Sequence, residues 1–189
     1  MLPISRGRLA LAGAFALAFS LSFFMEAARA QMQPAARPHV HGVASVDVAV
    51  DTASITVTMS SPLDNLIGFE HPPRTDGERS AANAAVAALR QGDKIFAIDP
   101  AAGCTLKSVD LSSAALNLGH PDPSEAQAGH ADIDGTYEFT CAKPQLAKSI
   151  AVGLFQFAHM QKVTAQVAGP HGQFKRELTQ AERRIALSN

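Results

Sequence analysis

His39 and His41, in "PHVHG", sit two residues apart at the head of the alternating run "VASVDVAV". In an extended strand, residues i and i+2 project to the same side, roughly 7 Å apart, close enough to converge on one ion. Extending the alternation of that run backwards puts His39, His41, Val43, Ser45 and Asp47 on one largely polar face. Neutral imidazole nitrogen is a zinc ligand at ~2.0–2.1 Å, so this spacing suits a metal. Two surface histidines near a chain terminus would look the same. A second group is "GFEHPP", where Glu70 and His71 follow Gly68 at once. Adjacent residues point differently, so one of the two faces a given metal, or His71 caps the carbonyls of the preceding turn. A third group is "GHADIDGTYEFTC". If its strand reaches back far enough, His130, Asp132 and Asp134 share the face opposite Tyr137, Phe139 and Cys141. The rival is a solvated loop with a turn at Asp134-Gly135. His120 reads as a mobile accessory ligand, His159 as a satisfied, partly buried histidine, and His171 in "GPHGQ" as a hairpin-turn residue.

These groups need elements to carry them. "VASVDVAV" and "SITVTMSS", joined by "DTA", predict a hairpin in which Val46, Val48, Val50, Ile55, Val57 and Met59 face a core. "SPLDNLIG" predicts a short helical turn that Ser61 can cap and Gly68 can end. "TDGERSAANAAVAALRQG" predicts the one longer helix, at about 76–91. Thr75 and Glu78 have capping-box spacing there, Ala81, Ala85, Ala88 and Leu89 share a face, and Gly92 stops it. "KIFAI", "CTLKSVDL", "TYEFTC", "KVTAQVA" and "QFKREL" read as short strands, while "SIAVGLFQF" fits strand or helix. With no alternating β-α series, the expected class is α+β: mostly antiparallel sheet, one longer helix and short helical turns.

The first residues have the pattern of a targeting segment. Arg6 and Arg8 precede the uncharged "LALAGAFALAFSLSFF", and "ARA" ends at Ala30, which predicts a signal peptide over 1–30 cleaved after Ala30. The apolar run is slightly short for a membrane anchor, which needs ~20 residues. A flexible segment would then cover 31–38, and a single metal-binding domain 39–189, with a polar loop at 119–131. Cleavage would remove three arginines and one glutamate, taking the formal charge from −1 to −3. No basic patch points to nucleic acid, and no second long apolar segment to membrane insertion. The two cysteines, Cys104 and Cys141, predict one disulfide in an oxidising compartment. A two-thiolate metal site is the rival, although neither cysteine has a partner at finger spacing.

The order of these motifs resembles the zinc-regulated periplasmic ZrgA-like proteins of Gram-negative bacteria. The resemblance rests on the "HxHG" opening, "SPLDNLIGFEH", the cysteine pair, "HADIDGTYEFTC" and "LFQF" before the last strands, nearly all of residues 39 to 187. It implies a periplasmic protein linked to zinc acquisition, with His39, His41, Glu70, His71, His130 and Asp132 as candidate ligands. Many family members carry a long His/Asp/Glu-rich tract before the "YxFxC" strand. Here that tract is only "HPDPSEAQAGH", which favours one compact site over multi-site storage.

The leading expectation is therefore a zinc-binding protein that serves uptake or hands the ion to a membrane metal transporter. Copper or nickel would also suit imidazole, and raw affinity favours copper. Two other classes stay open: an envelope interaction module with incidental histidines, and a zinc-dependent hydrolase. The hydrolase needs an open coordination position and a base, for which Glu70 is the one candidate. Because "HExxH", a nucleophile elbow and a Gly-rich phosphate loop are all missing from the sequence, a non-enzyme is the expectation.

Overall fold

The computed structural model describes residues 40–121 and 131–188. The expected signal peptide, the segment 31–38, His39, His130 and most of the 119–131 loop lie outside the described residues. Strand β1 (Val43–Val50) and β2 (Ser54–Pro62) form the expected hairpin, in register from Ser45↔Ser60 to Val50↔Ile55. The period-two alternation works as read. Ala44, Val46, Val48, Ile55, Val57 and Met59 are buried, while Asp47 and Thr58 stay exposed. Next come helix α1 (Asp64–Ile67), helix α2 (Asp76–Leu89) and helix α3 (Gly92–Ile95). Strands β3 (Phe96–Ile98), β4 (Cys104–Ser112), β5 (Asp132–Cys141), β6 (Ser149–Val152), β7 (Lys162–Gly169), β8 (Gly172–Thr179) and β9 (Arg184–Ala186) complete the order.

Six strands make one sheet in the order β4-β5-β2-β1-β7-β8, and three make a second, β3-β6-β9. Apolar residues at alternate positions of both sheets, with Leu89 of α2 and Ile95 of α3, share one core. Phe96 meets Tyr137 edge-on at 4.9 Å, joining the second sheet to the first. The Tyr137 hydroxyl lies 3.7 Å from the Met59 sulfur, and burial pushes its phenol above the ordinary value.

The expected class needs correction. The class is mostly β, not α+β: α2 has 14 residues, but α1 and α3 are single turns of four. Helix α2 buries only Ala82, Ala85 and Leu89, so strands of both sheets supply most of the core. The large sheet is mixed: β1 pairs parallel with β7 from Val43↔Lys162 to Ala49↔Ala168, and the sheet's other pairings are antiparallel. Both strands bury alternate small and β-branched residues (Ala44 and Val163, Val46 and Ala165, Val48 and Val167), as central strands do.

Local signals fared better. Thr75 and Glu78 form the capping box, and Glu78 also accepts from the Arg74 N–H at 2.6 Å. The Glu78 carboxyl is held below its usual value chiefly by that Arg74 bond, with the Thr75 N–H and nearby His71 adding to it. Gly92 does not stop α2, which ends at Leu89; it opens α3, pressed so close to Tyr137 that a Cβ would lie 2.7 Å from the ring. Cys104 and Cys141 are disulfide-bonded and face each other on one rung of β4 and β5. That direct opposition sets their Cα atoms 3.9 Å apart, below the ~4.4–6.8 Å usual for disulfides.

Candidate metal centre

Strand direction decides which side chains meet. β1 and β7 run parallel, so the residues just before Val43 and just before Lys162 arrive at the same end of the sheet. β2 runs antiparallel to β1, so its exit at Pro62 comes to that end too and delivers α1. Three distant segments therefore converge, bringing His41, Asp64 and His159.

Asp64 stands between two imidazoles. Its Oδ2 lies 3.8 Å from His41 Nδ1 and its Oδ1 lies 3.6 Å from His159 Nδ1. On the other side of the His41 ring, Nε2 lies 3.2 Å from Glu70 Oε1. The carboxylates are the more sheltered partners, at 25% and 36% exposure for Asp64 and Glu70, against 66% for His41 and 53% for His159. Ligand atoms ~2.0–2.1 Å from a tetrahedral ion are roughly 3.3 Å from one another. The separations here, 3.2–3.8 Å, lie near that edge length. The two nitrogens of His41 point to different carboxylates, however, and cannot serve one ion together. Among the described residues no three His, Cys, Asp or Glu side chains already converge as a finished cage.

The other expected ligands fall as follows. His41 is not on a strand face: residues 41 and 42 form a turn, β1 starts at Val43, and Gly42 has φ +80. A left-handed residue interrupts the period-two pattern, so alternation cannot be carried back across it. His71 stacks on Phe69 with ring centroids 4.9 Å apart. Its Nδ1 donates to the Pro72 carbonyl at 3.0 Å, which leaves Nε2 as the acceptor nitrogen of the neutral ring. Among the described residues no ion pair joins His71 to the Asp64 cluster. Asp132 lies opposite Pro62 on β5, two strands from β1, which is roughly 10 Å at ~4.8 Å per strand. Tyr137, Phe139 and Cys141 do occupy the buried face of that strand, with Asp132 and Asp134 on the other. His171 lies in the β7–β8 turn as expected.

Asp64 and His159 were missed. An aspartate in the first turn of a helix reads as a complement to the helix dipole, and a histidine after an apolar run reads as a core edge. The available signal was weak: Asp64 and Glu70 lie six residues apart on either side of a helical turn closed by Gly68.

The fold and this cluster together define a mostly β domain with an open imidazole–carboxylate cluster at one end of a mixed sheet. The profile of the ZrgA family zinc uptake protein matches residues 38–187, and the chain belongs to that family. No curated protein matches the chain. The disulfide fits an envelope location, and among the described residues no helix is long and apolar enough to cross a membrane.

Proposed function

We propose that this protein binds a zinc ion in the periplasm at the end of the sheet where β1 and β7 begin, and passes it to a membrane metal transporter. Membership of a zinc uptake family supports a zinc-related role. The observation that carries the site is Asp64, with one imidazole facing each of its carboxylate oxygens. Glu70 adds a second carboxylate beside His41. Open histidines on sheltered carboxylates suit a cargo ion that must arrive and leave. In this reading the protein is a carrier and no enzyme, the chain is exported with cleavage after Ala30, and Cys104–Cys141 forms on export.

The test is calorimetry with zinc, copper and nickel on metal-stripped protein purified from the periplasm, with elemental analysis and the mass of the mature chain. The reading expects one tight zinc per chain, an N-terminus at Gln31, and loss of the site in His41→Ala/His159→Ala. Absence of zinc binding, or unchanged binding in the double variant, would favour the interaction module or a site elsewhere. Hydrolysis of ester or phosphoester substrates by the zinc-loaded protein, absent from the metal-free form, would favour the hydrolase.

A further inference from the structure

Asn65 is completely buried, and its side chain spends every bond at one junction. Its Oδ1 accepts from the Gly42 N–H at 2.5 Å. Its Nδ2 donates to the Val43 carbonyl at 3.0 Å and to the Ser61 hydroxyl at 3.1 Å. Gly42 is held from the far side as well, since its carbonyl accepts from the N–H groups of Gln161 and Lys162, both at 2.9 Å. With φ +80, and a Cβ that would sit 2.9 Å from Gln161 Cδ, the position admits only glycine without rearrangement. Each clamp residue is close in sequence to a member of the cluster: Gly42 follows His41, Asn65 follows Asp64, and Gln161 comes two after His159.

The strands do not need this clamp to find their register. β1 is already fixed to β2 from Ser45 onward and to β7 from Val43 onward. Among the described residues at this end of β1, Val40, His41 and Gly42 lie beyond both ladders. A buried amide is costly unless all its groups are bonded, and an apolar side chain would fill the same space without that cost. We propose that Asn65 is a positioning residue: it fastens the His41 turn to α1 and to the start of β7, and so sets His41 and His159 on either side of Asp64. This rests on the zinc-binding reading above for its functional meaning.

Asn65→Ala tests it in the full mature chain, with two readouts. The first is zinc affinity, together with the visible spectrum of the cobalt(II)-loaded protein. We expect affinity to fall at least tenfold and the cobalt bands to change. Ile185→Val, a core change on β9, should alter neither. The second readout needs no metal: the His41 imidazole resonance in the stripped protein should move toward that of exposed His171 in Asn65→Ala. If the parent chain binds no zinc, the functional reading fails, and the His41 resonance still decides the clamp. A folded Asn65→Ala with parental affinity and an unmoved His41 resonance would overturn the proposal. So would equal losses in Ile185→Val. If Asn65→Ala does not fold, Asn65→Ser, too short to reach Gly42, carries the same two readouts.

Discussion

The two ends of the six-stranded sheet are fastened by opposite means. At the end where β1 turns into β2, Cys104 and Cys141 close a covalent rung, and the Cys141 N–H donates to the Ala53 carbonyl at 2.9 Å. At the end where β1 and β7 begin, hydrogen bonds through Gly42 and Asn65 gather three segments, and the imidazoles they carry stay open to water. The first end restricts the unfolded chain through a covalent bond. The second orders backbone beneath exposed imidazoles, which the proposed function uses to take up and release an ion. On that proposal stability and cargo handling are separated along the strands, and changes at one end should leave the other's property intact.

The largest effect expected from breaking this contrast is on stability at the disulfide end. Replacing Cys104 and Cys141 by serine opens a loop with a sequence separation of 37. Urea unfolding should show a loss of about 3–4 kcal/mol on the chain-entropy model. Zinc affinity should stay within about twofold. At the other end the pattern reverses. Asp64→Ala should weaken zinc binding roughly 100-fold, about 2.7 kcal/mol, as expected for removing a ligand shared by two imidazoles. Thermal unfolding of its metal-free form should shift by no more than about 0.5–1 kcal/mol, because the carboxylate is partly exposed and its partners are solvent-accessible.

Acidification should separate the ends too. Bound imidazoles must be neutral, so protons compete with zinc as pH falls through the reference imidazole value of ~6.5. With two imidazole ligands engaged, up to two protons displace each ion, so affinity measured in a non-chelating buffer should fall steeply on acidification. Affinity that stays flat to pH 5 would mean that carboxylates alone hold the ion. The smallest effects belong to the cap of α2, which holds no member of the cluster. Thr75→Ala should cost about 1 kcal/mol through the lost cap, with zinc binding unchanged. Glu78 has a lowered carboxyl value in the fold, so its contribution is present above the unfolded value of ~4.3 and is lost as pH falls through the folded one. Glu78→Gln should therefore flatten the acid limb of the stability profile and leave neutral-pH zinc binding alone.

What the sequence makes legible here is what is local. The β1–β2 hairpin follows from six apolar residues at period two around a three-residue link, and the α2 cap from Thr75 and Glu78 alone. The buried face of β5 is readable from Tyr137, Phe139 and Cys141. The cysteine pair follows from an even count in a chain expected to be exported. Parallel pairing of Val43 with Lys162 leaves no local trace, because it joins segments with most of the domain between them. Missing that pairing hid the meeting of His41, Asp64 and His159, and it made His159 look like an unimportant core-edge histidine. Gly42 misled in a different way: its left-handed turn ends the strand just where the histidine alternation needed it to continue. The α+β expectation failed because a clear 14-residue helix outweighed several short strands whose pairing into two sheets is also non-local.

The central claim is that parallel pairing of β1 and β7 builds one cation site around Asp64. Crystals of the zinc-loaded mature protein, with anomalous diffraction recorded on both sides of the zinc edge, test it most directly. The account predicts one strong peak within about 2.0–2.2 Å of an Asp64 oxygen and bonded to His159 and His41 nitrogens. A principal peak held by other side chains, with the His41, Asp64 and His159 groups left unbound, would contradict it.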